Sequence, residues 1–164
     1  MYLLDTPVVL ELRKAKFGRT DAGLATWAAG VSRQNLFLSA LSLLELENGA
    51  ARMAKQDKAG AVALRGWIAD QVMPAFEGRI LPVDAAVVRR RAQLVLADTR
   101  DALLAASAIE HGLTLVTRQT AAFKGSRVKL FNPWGYTPED ADDGDWRQAA
   151  RTGPAWLKNL FVRA

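Results

Sequence analysis

Tyr2-Leu3-Leu4-Asp5-Thr6-Pro7 is a short apolar run that ends in an acid and meets a proline two residues later. An apolar run without polar alternation reads as a strand buried on both faces, the habit of parallel sheets. Proline is welcome in the first turn of a helix, where its missing N–H costs nothing. The stretch therefore predicts a strand that feeds a helix, with Asp5 at the carboxyl end of the strand.

The same grammar repeats outward from there. Asp21 is placed to cap a helix through Val31, and Leu36-Phe37-Leu38 reads as a second strand. Ser39 can cap a helix from Ala40 past Arg52, with Leu41, Leu44, Glu45 and Asn48 on neighbouring turns and Glu45 on or beside the apolar face. A further helix over Lys58 to Phe76 carries Val62, Leu64, Trp67, Ile68, Val72 and Met73. Ile80-Leu81-Pro82-Val83 is a third strand, and Asp84 caps Ala85 to Leu96. Asp101 to Glu110 reads as a helix opened by its own acid, Leu113 to Val116 as a fourth strand and Val128 to Phe131 as a fifth. Short apolar strands separated by helices predict an α/β fold: a central, mostly parallel sheet of four to five short strands in a three-layer α/β/α sandwich.

The bulk numbers narrow the class. A chain of 164 residues with 50% hydrophobic content supports one ordinary core, expected over residues 1–136. Residues 137–164 differ: an acidic linker precedes a segment mixing Trp146, Trp156, Leu157, Leu160 and Phe161 with basic residues, which reads as an amphipathic appendage. Two readings stay open for it: a loosely held extension that packs on the core or frays, and an acidic segment that lies against the basic surface of the same protein and competes with a polyanion there. Zero cysteines exclude disulfides, a thiolate nucleophile and cysteine-type zinc sites, and fit a cytoplasmic setting. No signal peptide or membrane-length apolar stretch is expected. A formal charge of +5 favours a polyanionic partner.

In open α/β sheets, ligands sit outside the carboxyl ends of the strands, and acids gathered there repel one another unless a cation neutralises them. Asp5, Glu45 and Asp101 are the acids that can converge in this way, and hard oxygen donors suit Mg2+ or Mn2+. By spacing alone each acid also has a structural reading. Asp5 and Asp101 could cap helices, and Glu45 could be an ion-paired face residue.

Leu3-Leu4-Asp5-Thr6, the stretch Leu38-Ser39-Ala40-Leu41-Ser42-Leu43-Leu44-Glu45-Leu46-Glu47-Asn48-Gly49, and Asp101-Ala102-Leu103-Leu104-Ala105-Ala106-Ser107-Ala108 together resemble the three ordered motifs of VapC-type PIN-domain toxins. Glu110-His111-Gly112-Leu113-Thr114-Leu115-Val116-Thr117-Arg118 and Leu130-Phe131-Asn132-Pro133-Trp134 extend the resemblance to about Tyr2 to Trp134. The resemblance implies a PIN-like fold, RNA cleavage that needs Mg2+ or Mn2+, and metal carboxylates at Asp5, Glu45 and Asp101, with Thr6, Ser39, Thr117 and Gln119 behind them. It further implies a homodimer neutralised by a small antitoxin, with structured RNA such as tRNA as substrate.

The chain departs from the family pattern at three places. Pro7 stands where the family usually has Asn, and Gln119 and Ala122 stand where a fourth acid is expected. The stretch before Asp101 is short, with Asp98 one turn upstream. These departures imply altered metal binding and leave an alternative, a PIN-like RNA- or protein-binding module that has lost catalysis. A receiver-like phosphate domain fits less well, because no Gly-rich phosphate loop is present. Arg13, Lys14 and Lys16, which follow the Asp5 helix, and Arg118, which follows a strand, are the expected RNA contacts. His111, at the expected helix end, reads as complementing the helix dipole, and Trp67 and Trp134 read as packing residues.

Overall fold

Leu3 and Leu4 are neighbours in sequence and serve different cores: Leu3 packs with Leu104, Leu113 and Leu115, and Leu4 with Val8, Leu38 and Trp67. That alternation recurs in every strand and follows from the two-residue period of extended chain. The computed structural model describes residues 1–137, without the side chain of Lys16. The remainder of the acidic linker and the amphipathic appendage expected at the end of the chain lie outside the described residues.

The sheet is built from β1 (Tyr2–Leu4), β2 (Leu36–Ser39), β3 (Ile80–Leu81), β4 (Thr114–Val116) and β5 (Leu130–Phe131), in the order β3-β2-β1-β4-β5, with every pair parallel. Helices α1 (Thr6–Arg13), α2 (Ala22–Gly30), α3 (Ala40–Met53), α4 (Lys58–Trp67) and α5 (Met73–Ala75) supply one apolar layer. Helix α7 (Thr99–Glu110) supplies the other, packed with α6 (Ala85–Ala92). The architecture is the three-layer α/β/α sandwich expected from the sequence.

Most helix starts also follow the local chemistry. Asp21 accepts the Leu24 N–H, Ser39 the Leu41 N–H and Asp84 the Val87 N–H, each satisfying a donor that the first turn leaves free. Strands β3 and β5 are shorter than their apolar runs, and α6 stops at Ala92 rather than Leu96.

Three local readings need correction. Helix α7 is capped by Asp98, which accepts the Asp101 N–H at 2.9 Å, so Asp101 lies inside the first turn instead of opening the helix. An N-cap sits outside the helix and reaches the amide three residues on, which is the spacing from Asp98 to Asp101. In α3 the buried face is Ser42, Leu46 and Ala50, and Leu44 is exposed. The long helix expected over Lys58 to Phe76 contains a π turn, Ile68–Val72, just before Pro74. Proline lacks an N–H and its ring crowds the preceding turn, and a widened turn accommodates both.

Candidate active site

The strand order reverses between β1 and β4: the chain steps from β1 outward to β2 and β3, then returns to the other side of β1 for β4 and β5. At such a switch point the connections leave the sheet in opposite directions and open a crevice at the carboxyl ends. Asp5 follows β1 and Thr117 follows β4, so both stand at this crevice. Around it lies a cleft of about 570 Å³ whose walls include Thr6, Glu45, Arg52, Arg100, Asp101 and Gln119.

Asp5 is almost completely buried, at 1% exposure. A buried carboxylate without partners costs several kcal/mol, so its survival requires donors. It has three: the Thr6 N–H to Oδ1 at 2.8 Å, the Thr117 hydroxyl to Oδ2 at 2.7 Å, and Arg100 Nη2 to Oδ1. The capping role and the cleft position are thus combined in one side chain. Thr117 in turn accepts the Gln119 N–H at 3.1 Å, which ties the loop after β4 to the same cluster.

Glu45 projects from the middle of α3. Arg100 grips it side-on, with Nε to Oε1 at 2.8 Å and Nη2 to Oε2 at 2.9 Å, and the Thr6 hydroxyl donates to Oε2. Burial alone would favour the protonated acid. The bonds from Arg100 and Thr6, with the charges of Arg100 and Arg52, outweigh it and hold the Glu45 carboxyl below its ordinary range. Asp101, on the first turn of α7, accepts Arg100 Nη1 at 2.7 Å. Burial by itself weakens the charge on Arg100, but its bonds to Glu45 and Asp101 and the charge and bond of Asp5 more than offset this. Its pKa stands above the ordinary arginine value.

Asp5, Glu45 and Asp101 therefore come from three separate elements and meet at one guanidinium. As oxygen donors, three carboxylates fit a hard divalent cation. As they stand, no group of three acids or histidines among the described residues is arranged to hold an ion, and the point that Asp5, Glu45 and Asp101 share is taken by Arg100. The donor set has the chemistry for such a cation, and Arg100 stands among its oxygens.

The Thr6 and Thr117 hydroxyls donate to Glu45 and Asp5, whereas the Ser39 hydroxyl is used for its own helix cap. Gln119 lines the cleft, with its backbone N–H bonded to the Thr117 hydroxyl. Of the basic residues expected to touch RNA, Arg13, Lys14 and Arg118 are not among the residues that line the cleft. Arg13 stacks over Trp67 at 5.3 Å, Lys14 pairs with Glu11 at 2.7 Å, and Arg118 stacks over Trp134 at 5.5 Å. The side chain of Lys16 is outside the described residues. His111 caps the far end of α7 from Asp101 and is exposed.

Sequence reasoning missed Arg52 and Arg100. Arg52 had a readable signal, since it lies two helical turns beyond Glu45 on the same side of α3. Arg100 had none beyond its adjacency to Asp101.

A family model described as the PIN domain matches residues 2–124. The chain is 32% identical over 142 residues to the VapC ribonuclease Y4jK of Sinorhizobium fredii, covering 82% of this chain and 98% of that protein. It is likewise 32% identical over 142 residues to the toxin FitB of Neisseria gonorrhoeae, covering 82% and 99%. The crystal structure of FitAcB from the same organism superposes with a TM-score of 0.74 at 30% identity, covering 82% of this chain and 99% of that one. Motif order, sheet topology and these likenesses agree, and the chain belongs to the PIN domain family.

Proposed function

We propose that the protein is a divalent-metal-dependent endoribonuclease, the toxin of a toxin-antitoxin pair. The observation that carries this reading is the convergence of Asp5, Glu45 and Asp101, from three elements, on one point in an open cleft at the switch point of the sheet. Kinship with proteins named as a VapC ribonuclease and a FitB toxin supports it.

The three acids are the residues that would hold Mg2+ or Mn2+, which when bound lowers the pKa of water and steadies charge on a phosphodiester. The chain's own contribution is positional. Thr6 and Thr117 fix the carboxylate orientations, and Arg52, exposed at the cleft wall, is placed to take a backbone phosphate. RNA is the substrate in this reading, with structured RNA such as tRNA favoured. The partner in this reading is a small antitoxin, supported by kinship with the toxin FitB and by the likeness to the FitAB structure at 29% identity. A homodimer in the cytoplasm completes it.

Arg100 amid the acids favours a second reading, an RNA- or protein-binding module without catalysis. One experiment separates the two. Total RNA is incubated with the purified protein in Mg2+ or Mn2+, in chelator, and with Asp5→Asn. Metal-dependent cleavage that vanishes in the variant supports the nuclease; RNA retention without cleavage at any metal concentration supports the binding module.

A further inference from the structure

Arg100 Nη1, Nε and Nη2 are all engaged by carboxylates, and among the described residues it is the only cation in ion-pair contact with Asp5, Glu45 and Asp101. An arginine in a surface pair joins one partner. This one satisfies three acids drawn from the end of β1, the middle of α3 and the start of α7, and so occupies their common point. The oxygens it holds, Asp5 Oδ1, both Glu45 oxygens and Asp101 Oδ1, are the atoms a hard cation in that cleft would need.

We propose that Arg100 is a resident counter-ion of the acid site, holding Asp5, Glu45 and Asp101 together in the metal-free protein, and that a divalent cation enters by exchanging with its guanidinium. The proposal rests on the reading of these acids as metal carboxylates. Two features of the chain suit an exchange. The Arg100 side chain is 25% exposed, so its long stem has a path toward solvent, whereas Asp5 at 1% has none. Asp98 pins the backbone beside it through the Asp101 N–H, so Arg100 can leave while the first turn of α7 and Asp101 stay. Asp98 therefore anchors the helix start and leaves Asp101 to face the cleft.

Charge explains why a counter-ion belongs there. Without Arg100, three carboxylates face one another around a fully buried Asp5, a repulsion that either protonates one of them or splays the cleft. With it, the cluster is preassembled, at the cost of a positive charge that opposes the incoming ion. Arg100 is thus a positioning residue that acts through the acids and weakens metal affinity.

The test uses the full chain, without RNA. Wild type, Arg100→Gln and Arg100→Lys are titrated with Mn2+ by calorimetry and melted with and without the metal. Arg100→Gln is expected to bind Mn2+ at least about tenfold tighter, because a unit charge next to the ion is gone. Its metal-free form is expected to melt lower, by roughly 5 °C, and to regain more on metal saturation than wild type does. Arg100→Lys, which keeps the charge, stays near wild-type affinity. Equal or weaker Mn2+ binding by a folded Arg100→Gln overturns the exchange. If that variant fails to fold, the Arg100 Nε resonance of wild type is followed during a Mg2+ titration. A shift that tracks saturation supports the exchange, and an unmoved resonance while Mg2+ binds overturns it. Failure of the nuclease reading shows separately, as metal binding with exchange but no RNA cleavage.

Discussion

The Thr117 hydroxyl donates to Asp5 Oδ2 at 2.7 Å, and this bond bridges β1 and β4 where the strand order reverses. Both residues are buried, and the bond joins the acid at the end of one strand to the loop that leaves the next. The crevice is therefore cross-linked at its floor.

Removing that link has a defined cost. Thr117→Val keeps the shape of the side chain and leaves a buried carboxylate oxygen short of a donor, so it is expected to lower stability by about 1–3 kcal/mol. Thr117→Ser keeps the hydroxyl and is expected to recover most of the loss. Urea denaturation of the three proteins measures both, and a Thr117→Val midpoint equal to wild type would remove Thr117 from the support of Asp5.

Asp5→Asn, Glu45→Gln and Asp101→Asn each replace a charged oxygen with an amide of nearly equal size. Each is expected to abolish metal-dependent RNA cleavage while the fold survives, because the amide keeps one acceptor oxygen and, at position 5, its NH2 can donate to the Thr117 hydroxyl. Cleavage of a labelled RNA, with circular dichroism on the same samples, checks this. Full activity in any one variant takes that acid out of the site.

Gln119 lines the cleft with the acids and is, with Ala122, one of the two places where the family resemblance leads one to expect a fourth acid. Gln119→Asp adds negative charge to the cluster and is expected to tighten Mn2+ binding severalfold. Calorimetry decides it, and unchanged affinity would place the Gln119 side chain too far from the ion to matter.

Two of the described arginines serve different ends, one at the cleft and one in the fold. Arg52 is an exposed residue of the cleft wall, so Arg52→Gln is expected to raise KM for RNA with little change in kcat and to reduce the salt dependence of binding by about one charge. Arg79 instead donates to the carbonyls of Leu36 at 2.6 Å and Arg33 at 2.5 Å, and also to Ala75, tying the end of α5 to the start of β2. Arg79→Met is expected to cost about 1–3 kcal/mol of stability with unchanged RNA affinity. Filter binding across a salt series, beside thermal melts, separates the two effects.

Gly23 packs against the turn after β5. A Cβ there would lie 2.4 Å from the Tyr136 nitrogen and 2.7 Å from both the Gly135 nitrogen and the Pro133 oxygen, all backbone atoms. Gly23→Ala is expected to destabilise by about 1–3 kcal/mol through forced separation of α2 from that turn. A melting temperature equal to wild type would mean that the 133–136 turn moves aside freely.

What the sequence determined by itself is local. The run Leu3-Leu4 before Asp5, the caps at Asp21, Ser39 and Asp84, and the alternation of apolar blocks were all legible, because helix caps and strand burial depend on residues within one turn or one pleat. The α/β sandwich follows from their order. The helix face carrying Leu44 and the helix start at Asp101 were misread, because several registers satisfy the same short pattern and packing chooses among them. Asp5, Glu45 and Asp101 were named by their place in ordered motifs. That they meet at one point depends on the parallel stacking of β2, β1 and β4. Arg100 belongs wholly to the tertiary structure: it lies 95 positions from Asp5 and 55 from Glu45, and only the folded sheet brings them within a hydrogen bond. Charge pairing over such separations leaves no periodicity to read, so the cation at the centre of the site was visible only once the chain had closed around it.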